Sequence, residues 1–312
     1  MEGRATMAVT GAFGFTGRAI AELLLARGDR VVTLTRRTPA DDPLASRLTV
    51  APLAFDRPAD LADALAGVDT LFNTYWVRFA RGPTTFERAV VDSAVLFAAA
   101  RRAGVRRIVH LSVVGARPDA PTPYTRAKGQ LEGILRSSGL EWAIVRPTLT
   151  YGPDDILVNN LAWALRRLPV YGIPGNGRYS IQPVHLDDVA ALCLEAAAGK
   201  SGAVTDAAGP EKLEFREMVG VVRAAIRSRS LVVGMPHWAV LGAARVLGRI
   251  VGDVVLTRDE ILELTTGWLS STEPPRGQIR FSDWVPANSH LLGHRWASEL
   301  ARNYQTAPPG PV

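Results

Sequence analysis

The sequence predicts an α/β protein in which a doubly wound parallel sheet is followed by a smaller C-terminal lobe. Short β-branched runs alternate with helical stretches through the first half of the chain, as repeated βαβ units require. The runs are brief and flanked by helices, which suits an open doubly wound order better than a sandwich. A glycine-rich turn, Gly11-Ala12-Phe13-Gly14-Phe15-Thr16-Gly17, joins the first run to the first helical stretch.

TMAVTGA (6–12) reads as the first strand, followed by a helix from Thr16 to Arg27 that stops near Gly28. RVVTLTR (30–36) is a second strand, and LTVAPLAF (48–55) a third, broken at Pro52, which has no N–H to give a ladder. Ala59–Leu65 is a short helix, DTLFNTY (69–75) a fourth strand, and Phe86–Ala103 a long helix stopped by Gly104. RRIVHLSVV (106–114) is a fifth strand, Tyr124–Ser137 a helix and WAIVRPT (142–148) a sixth strand. The nucleotide-type sheet domain is therefore assigned to 1–150. Residues 151–312 supply the remaining sheet elements, interleaved with the first domain, and a mostly helical lobe. Within this part, Ile156–Leu168 is helical, and PVYGIPGNGRY is loop or edge strand. PVHLDDVAALCLEAA is a strand end entering a helix, with Asp187 or Asp188 as its N-cap, and AVTDAAGP is one more strand. From Glu214 onward the chain reads as mostly helical, with a polar, Pro-rich tail from Gln305.

The bulk properties exclude several classes. The 312 residues are 47% hydrophobic, enough to bury a core. A single cysteine, Cys193, permits no internal disulfide or thiolate cluster, fits a buried small residue, and suits the cytoplasm. The net charge of +6 is spread over arginine pairs (Arg36-Arg37, Arg101-Arg102, Arg106-Arg107, Arg166-Arg167) without a nucleic-acid-binding motif, so no nucleic-acid partner is expected. No window is long and apolar enough to span a bilayer. In the nearest approach, Trp238–Leu256, Arg245, Arg249 and Asp253 fall four apart on one helical face. That face is expected in solvent and the Trp238/Leu241 side in the core, which makes membrane-surface contact the lesser reading. His185 beside Asp187 and Asp188 reads as structural, and no metal site is expected. The sequence leaves the oligomeric state open.

The turn has the form of a dinucleotide site of the Rossmann type. Gly11 permits the sharp strand-to-helix turn, Gly14 lets backbone approach a pyrophosphate, and Gly17 lets helix and strand pack closely. Phe13, Phe15 and Thr16 lie in the same turn. The helix N-terminus offers free N–H groups to phosphates. Where an NAD-selective site has an acid after the second strand, this chain has Arg36-Arg37, suited to a 2′-phosphate. NADP is therefore the expected cofactor ahead of NAD, the alternative being that both arginines are solvated surface. Asp56 is either an adenine acceptor or a plain turn former. Asn73 and Thr74 close the fourth strand, at the edge where such sheets bind ligands.

Tyr124 and Lys128 fall four apart in a helix, hence on one face, and Ser112 ends the fifth strand. A phenol titrates near pH 10, and a neighbouring ammonium lowers that value. Tyr124 could then exchange a proton with a carbonyl or alcohol oxygen, with Ser112 holding the same oxygen and Lys128 reaching the nicotinamide ribose.

TGAFGFTG, Ser112 with YTRAK, RPTLTYGP and QPVHLDDVA together resemble the extended or atypical short-chain dehydrogenase/reductases, of the NAD-dependent epimerase/dehydratase kind, over about residues 5–210. LSVVGA, GRYSIQPVHLDDVA and TRDEI are similar to the branch that includes the accessory subunit of respiratory complex I. The resemblance implies that Tyr124 is the acid/base, Lys128 its helper and Ser112 the substrate-oxygen ligand, and that Pro147 and Thr148 line the nicotinamide. It implies a small-molecule substrate and hydride transfer at a carbonyl or carbinol carbon. The alternative is a non-catalytic NADPH-holding subunit or redox sensor. Two departures bear on that choice: Ala89 stands where extended members often have asparagine, and Tyr75-Trp76-Val77-Arg78 replaces small residues. In the back half, Asn159 and Asn160 are either substrate ligands or solvated, and Trp268, Trp284 and Trp296 read as packing.

Overall fold

A computed structural model describes residues 5–36 and 41–304. In chain order the elements are β1 (Thr6–Thr10), α1 (Phe15–Ala26), β2 (Arg30–Thr35), β3 (Thr49–Pro52), α2 (Pro58–Ala64), β4 (Thr70–Asn73), α3 (Phe86–Arg102), β5 (Arg107–Leu111), α4 (Pro123–Arg136) and β6 (Glu141–Pro147). There follow β7 (Leu149–Tyr151), α5 (Ile156–Arg167), β8 (Val170–Pro174), β9 (Ser180–Ile181), β10 (Pro183–His185), α6 (Leu186–Ala198) and β11 (Ala203–Ala207). The last are β12 (Leu213–Glu214), α7 (Phe215–Ala225), β13 (Leu231–Met235), α8 (His237–Val251), α9 (Arg258–Thr265), α10 (Phe281–Ala287) and α11 (Glu299–Asn303). The chain divides into two compact units, one from residues up to 147 with 189–207, the other from 148–188 with residues from 208 on.

The first unit is the doubly wound sheet. Its seven strands run β11-β6-β5-β4-β1-β2-β3, and every pairing is parallel, for example Met7 with Val31 on one side and with Thr70 on the other. The strands are near-continuous apolar runs because helices cover both faces. Ala8, Leu34, Leu71 and Ile108 from the sheet pack with Leu61, Leu96, Leu131 and Ile144 in one buried cluster. The strand order reverses between β1 and β4, and a crevice outside the carboxyl ends of those two strands is where ligands of such sheets bind. The arginine pair Arg106-Arg107 is structural. Arg106 bonds Asp69 and Glu141, and Arg107 reaches the carbonyls of Ala196, Ala197 and Gly199, capping the exit of α6.

The second unit has its own core, in which Tyr151, Phe215, Met218, Val219 and Phe281 are buried together. Three two-stranded pairings accompany its helices: β7 with β10, β9 with β12, and β8 with β13. The segment expected as loop or edge strand is thus the strand β8. Its parallel partner β13 falls where the sequence reads as helix. α6 begins at Leu186, so Asp187 and Asp188 lie in its first turn instead of at the N-cap. Asp188 accepts from the backbone N–H groups of Gln278 and Ile279 at 2.9 and 3.0 Å. His185 packs edge-on against Tyr151 at 5.2 Å, a structural setting. Asn159 and Asn160 are half-buried, and their amides are engaged. They clamp the backbone of Gly293, Arg295 and Ala297. Trp296 packs on Trp163. Cys193 is buried, and burial pushes its thiol up to about 12.

The expected burial of the Trp238 helix is corrected in two places. α8 ends at Val251, and Gly252 closes it in the left-handed region, so Asp253 lies beyond the helix. Asp253 is buried and accepts from the Trp296 indole and from the backbone of Glu299 and Leu300. Trp238, expected inside, is 77% exposed. Arg245 and Arg249 are exposed as expected. Because Asp253 ties several donors of the C-terminal segment to one carboxylate, Asp253→Ala strands them. Chemical denaturation should show a loss of about 2–4 kcal/mol, within the range for removing a buried charged acceptor. A loss below about 0.5 kcal/mol, the ordinary surface value, would show that the segment is held by other means.

Candidate active site

At the carboxyl edge of the first unit's sheet, the turn after β1 is closed by two backbone bonds, Gly11 N–H to the Leu34 carbonyl and Gly14 N–H to the Gly11 carbonyl, both 2.8 Å. Gly11 has φ +68°, a left-handed value that favours glycine. A Cβ at Gly17 would collide with the Gly11 carbonyl, its carbon lying 2.7 Å away. α1 opens on Gly14 with no side-chain cap and no acid in its first turn. Its first N–H groups are therefore unpaired by the helix itself and face the turn that carries Phe13, Phe15 and Thr16, an arrangement that fits a pyrophosphate.

The floor is a polar clasp between β1 and β4. The Thr10 hydroxyl accepts from the N–H of Thr74 at 2.8 Å and bonds Asn73 at 3.3 Å, while the Thr74 hydroxyl donates to the Thr10 carbonyl at 2.5 Å. The Asn73 amide also meets His110 Nδ1 at 3.2 Å and is fully buried. The Asn73 amide, expected at the cofactor, is taken up inside the sheet, where it shapes the end of β4. Burial, with the Lys128 charge second, holds His110 well below the usual imidazole range.

On one side of the floor, Arg36, Phe55, Asp56, Tyr75, Thr85 and Arg88 line a cavity of about 290 Å³. The Arg36 guanidinium lies over the rings of Phe55 and Tyr75, at 5.2 and 5.4 Å. It also bonds the Tyr75 hydroxyl at 3.2 Å and approaches Asp92 at 3.4 Å. Asp92 is 2% exposed and accepts from Arg88 as well, at 2.7 Å. With Asp56 also in the lining, two guanidiniums stand among two carboxylates, and the Arg36 guanidinium is the one held across the aromatic rings. Burial first, and Asp92 among the lesser causes, raises the Tyr75 phenol to about 12. Arg88 and Asp92 were not singled out from the sequence, and Tyr75 only as one of four residues that depart from the family pattern; the spacing of four between Arg88 and Asp92 on one helix was the available signal. Arg37 lies outside the described residues.

On the other side, Thr122 caps α4 and Pro123 opens it, so Tyr124 falls in the first turn and Lys128 one turn later. Tyr124 stands edge-on to Trp76 at 6.1 Å and to Phe86 at 5.8 Å. The Lys128 ammonium lies 4.2 Å from the centre of the Trp76 ring and donates to the Leu111 carbonyl at 2.8 Å. Burial pulls Lys128 down to about 7, opposed by the charge of Glu132. Tyr124 and Lys128 thus meet on one indole, whose own N–H is buried and has no partner among the described residues.

Ser112 is placed differently. Its hydroxyl donates to Glu132 at 2.6 Å, and the same carboxylate takes two bonds from Arg146 at 2.8 and 2.6 Å. Pro147 ends β6 and accepts from the N–H of Val114. Thr148, in the second unit, gives its hydroxyl to the Gln182 carbonyl. Sequence reasoning did not single out Glu132 or Trp76 for these contacts.

An uncapped helix after a glycine turn at the strand-order reversal defines a Rossmann-type dinucleotide-binding protein. The chain belongs to the family described as NAD(P)H-binding, which matches residues 11–200, and it is of the atypical short-chain dehydrogenase/reductase kind. It is 25% identical over 306 residues to the mitochondrial NADH dehydrogenase [ubiquinone] 1 alpha subcomplex subunit 9 of Arabidopsis thaliana, covering 92% of this chain and 75% of that one. It is 28% identical over 300 residues to a ceramide reductase of Caulobacter vibrioides, covering 93% and 89%. The solved NADPH-dependent quinone oxidoreductase of Escherichia coli, in complex with NADPH, superposes with a TM-score of 0.75 at 20% identity, over 91% of this chain and 99% of that one.

Lys128 gives the site a pH signature. Its value in the folded protein lies below the roughly 10.4 of an unfolded lysine. Below about 7 both states are protonated and the burial cost is fully present. Between the two values the unfolded state binds the extra proton, so stability rises with pH. Urea unfolding across this range should show that rise, and Lys128→Met should flatten it. Equal slopes in the two proteins would assign the effect to other groups.

Proposed function

We propose that the protein is an NADP(H)-dependent oxidoreductase that acts at a carbonyl or carbinol carbon of a small molecule, with Tyr124 as the acid/base. The observation that carries this reading is the meeting of Tyr124 and Lys128 on Trp76, beside the end of β5. A bound nicotinamide supplies or accepts the hydride. Tyr124 gives its phenolic proton to the substrate oxygen in the reducing direction and takes it back in the other. The Lys128 ammonium favours the phenolate that is left. Its bond to the Leu111 carbonyl fixes the stem, so the charge is held in place. Trp76 and Phe86 wall the phenol with apolar rings, which exclude water and favour a planar or apolar substrate. The names of two relatives, a ceramide reductase and a quinone oxidoreductase, support an apolar carbonyl substrate. In this reading Ser112 turns from Glu132 to hold the substrate oxygen. Gly11, Gly14, Gly17 and Thr16 cradle the pyrophosphate, Asp56 meets the adenine, and Pro147 and Thr148 flank the nicotinamide. The single buried cysteine suits a cytoplasmic enzyme.

One observation favours a second reading, a protein that holds NADPH without turnover. The Ser112 hydroxyl is already committed to a buried carboxylate, and a holder has no need to release it. The complex I subunit among the relatives fits that reading.

Cofactor preference follows from the Arg36 guanidinium, stacked on Phe55 and Tyr75 and more than half exposed to the cavity. Titration should give tighter binding of NADPH than of NADH. Arg36→Ala should weaken NADPH by about 1.5–3 kcal/mol, the worth of a charge-assisted bond, and leave NADH nearly unchanged. Equal affinities in the native protein would remove the assignment of Arg36 to a 2′-phosphate.

Enzyme and holder separate on a panel of ketones, enones and quinones with NADPH. Tyr124→Phe should keep cofactor affinity and lower turnover by roughly 10²–10⁴-fold. Lys128→Ala should harm both, and Ser112→Ala turnover alone. Native-rate turnover by Tyr124→Phe would defeat the phenol mechanism. Tight NADPH binding with no reduction of any panel member would favour the holder.

A further inference from the structure

α8 carries apolar side chains that its fold leaves in solvent. Trp238, Val246 and Ile250 are 77, 56 and 74% exposed, while Val240 and Ala244 form the buried side of the helix. At about 100° per residue, the three exposed side chains fall within roughly 120° of helix surface. Arg245 and Arg249 are both exposed and flank Trp238, Arg245 about 20° outside the apolar arc and Arg249 about 20° inside it. Among the described residues neither forms a hydrogen bond or ion pair, unlike Arg106, Arg107, Arg166 and Arg167, whose guanidiniums are bonded to carboxylates or carbonyls. A lone exposed hydrophobe carries no meaning. A tryptophan flanked by two bare guanidiniums, with two aliphatic side chains beside it on one helix, forms the pattern of a helix that lies in a membrane interface, its long basic side chains reaching out past the apolar ones.

We infer that α8 docks on an anionic lipid surface. Trp238 enters at headgroup depth, where its ring is buried and its N–H stays hydrated. Val246 and Ile250 reach the acyl boundary. Arg245 and Arg249 extend along the surface to lipid phosphates, their stems covering apolar area. The bare arginines, on a chain of net charge +6, select an anionic surface. No helix among the described residues is long and apolar enough to cross a membrane, so the contact is peripheral. The inference stands apart from the oxidoreductase reading, since neither α8 nor its arginines enter the site described above.

The test is co-sedimentation of the full chain with vesicles of phosphatidylcholine alone and of phosphatidylcholine mixed with phosphatidylglycerol, at low and high salt. Binding is expected to the mixed vesicles and to weaken as salt rises. The fluorescence maximum should shift to the blue, and the double variant Trp238→Ser with Ile250→Ser should abolish both signals. Arg245→Glu with Arg249→Glu should reduce partitioning by at least about thirty-fold, since each basic side chain at such a surface is worth about a factor of five. All four positions are exposed, and circular dichroism and thermal melts should match the native protein. Absence of binding to the mixed vesicles, or equal binding to both vesicle types, overturns the inference. So does a concentration-dependent dimer in sedimentation velocity that the Trp238→Ser variant dissolves while native protein ignores vesicles, because the face would then be covered by a second copy.

Discussion

The carboxylate of Glu132 is the contact on which the arrangement of the first unit's functional edge depends. It comes from α4, takes two bonds from Arg146 on β6, and accepts the hydroxyl of Ser112 just past β5. One buried acid therefore ties a helix to two neighbouring strands. Burying a carboxylate is costly unless its charge and lone pairs are met, and here both are. Its position fixes the register of α4 against the sheet. That register sets Lys128 beside the Leu111 carbonyl and Tyr124 beside Trp76. Gly129 belongs to the same fit, since a Cβ there would run into the backbone of Arg117.

The Arg36 side follows a similar logic with the signs changed. Asp92 is buried on α3 and holds two guanidiniums that would otherwise repel each other. Arg36 is stacked and bonded, so it is oriented before any ligand arrives. Preorganisation of this kind lowers the ordering cost of binding. The two sides also differ in character. The Arg36 wall is charged and partly open, whereas the Tyr124 wall is aromatic, with a lysine whose charge is marginal near neutrality.

Much of the sheet was legible because each strand and helix in the first half announces its period and its ends locally. Gly11 and Gly17 could be read for the same reason, since the turn geometry they permit is itself local. Long-range contacts were not legible. Glu132 looked like one more helix-surface acid, because its partners Ser112 and Arg146 are distant in sequence and only the fold joins them. Asp92 was hidden in the same way from Arg36. β13 was missed because LVVGM is short, carries a glycine and lies between helical patterns. Only its pairing with β8 makes it a strand. Asp253 fell on the arginine face by periodicity, but α8 had already ended at Gly252. Spacing arguments hold only as far as the helix does. The partners of Arg106, Arg107, Arg166 and Arg167 were hidden for a related reason: they are distant carboxylates and backbone carbonyls, which composition does not show.

The last strand of the main sheet reaches it late. β11 pairs with β6 only after the chain has left the first unit at residue 147 and come back at 189. During synthesis, six strands can align while β6 still presents an unpaired row of N–H and C=O groups. A ribosome pausing in that interval exposes a sticky edge, and chains crowded on one messenger could zip together along it. A truncation ending near residue 150 would make the hazard permanent, so a fragment cut to the nucleotide-binding half should be prone to aggregate even though its cofactor turn is whole.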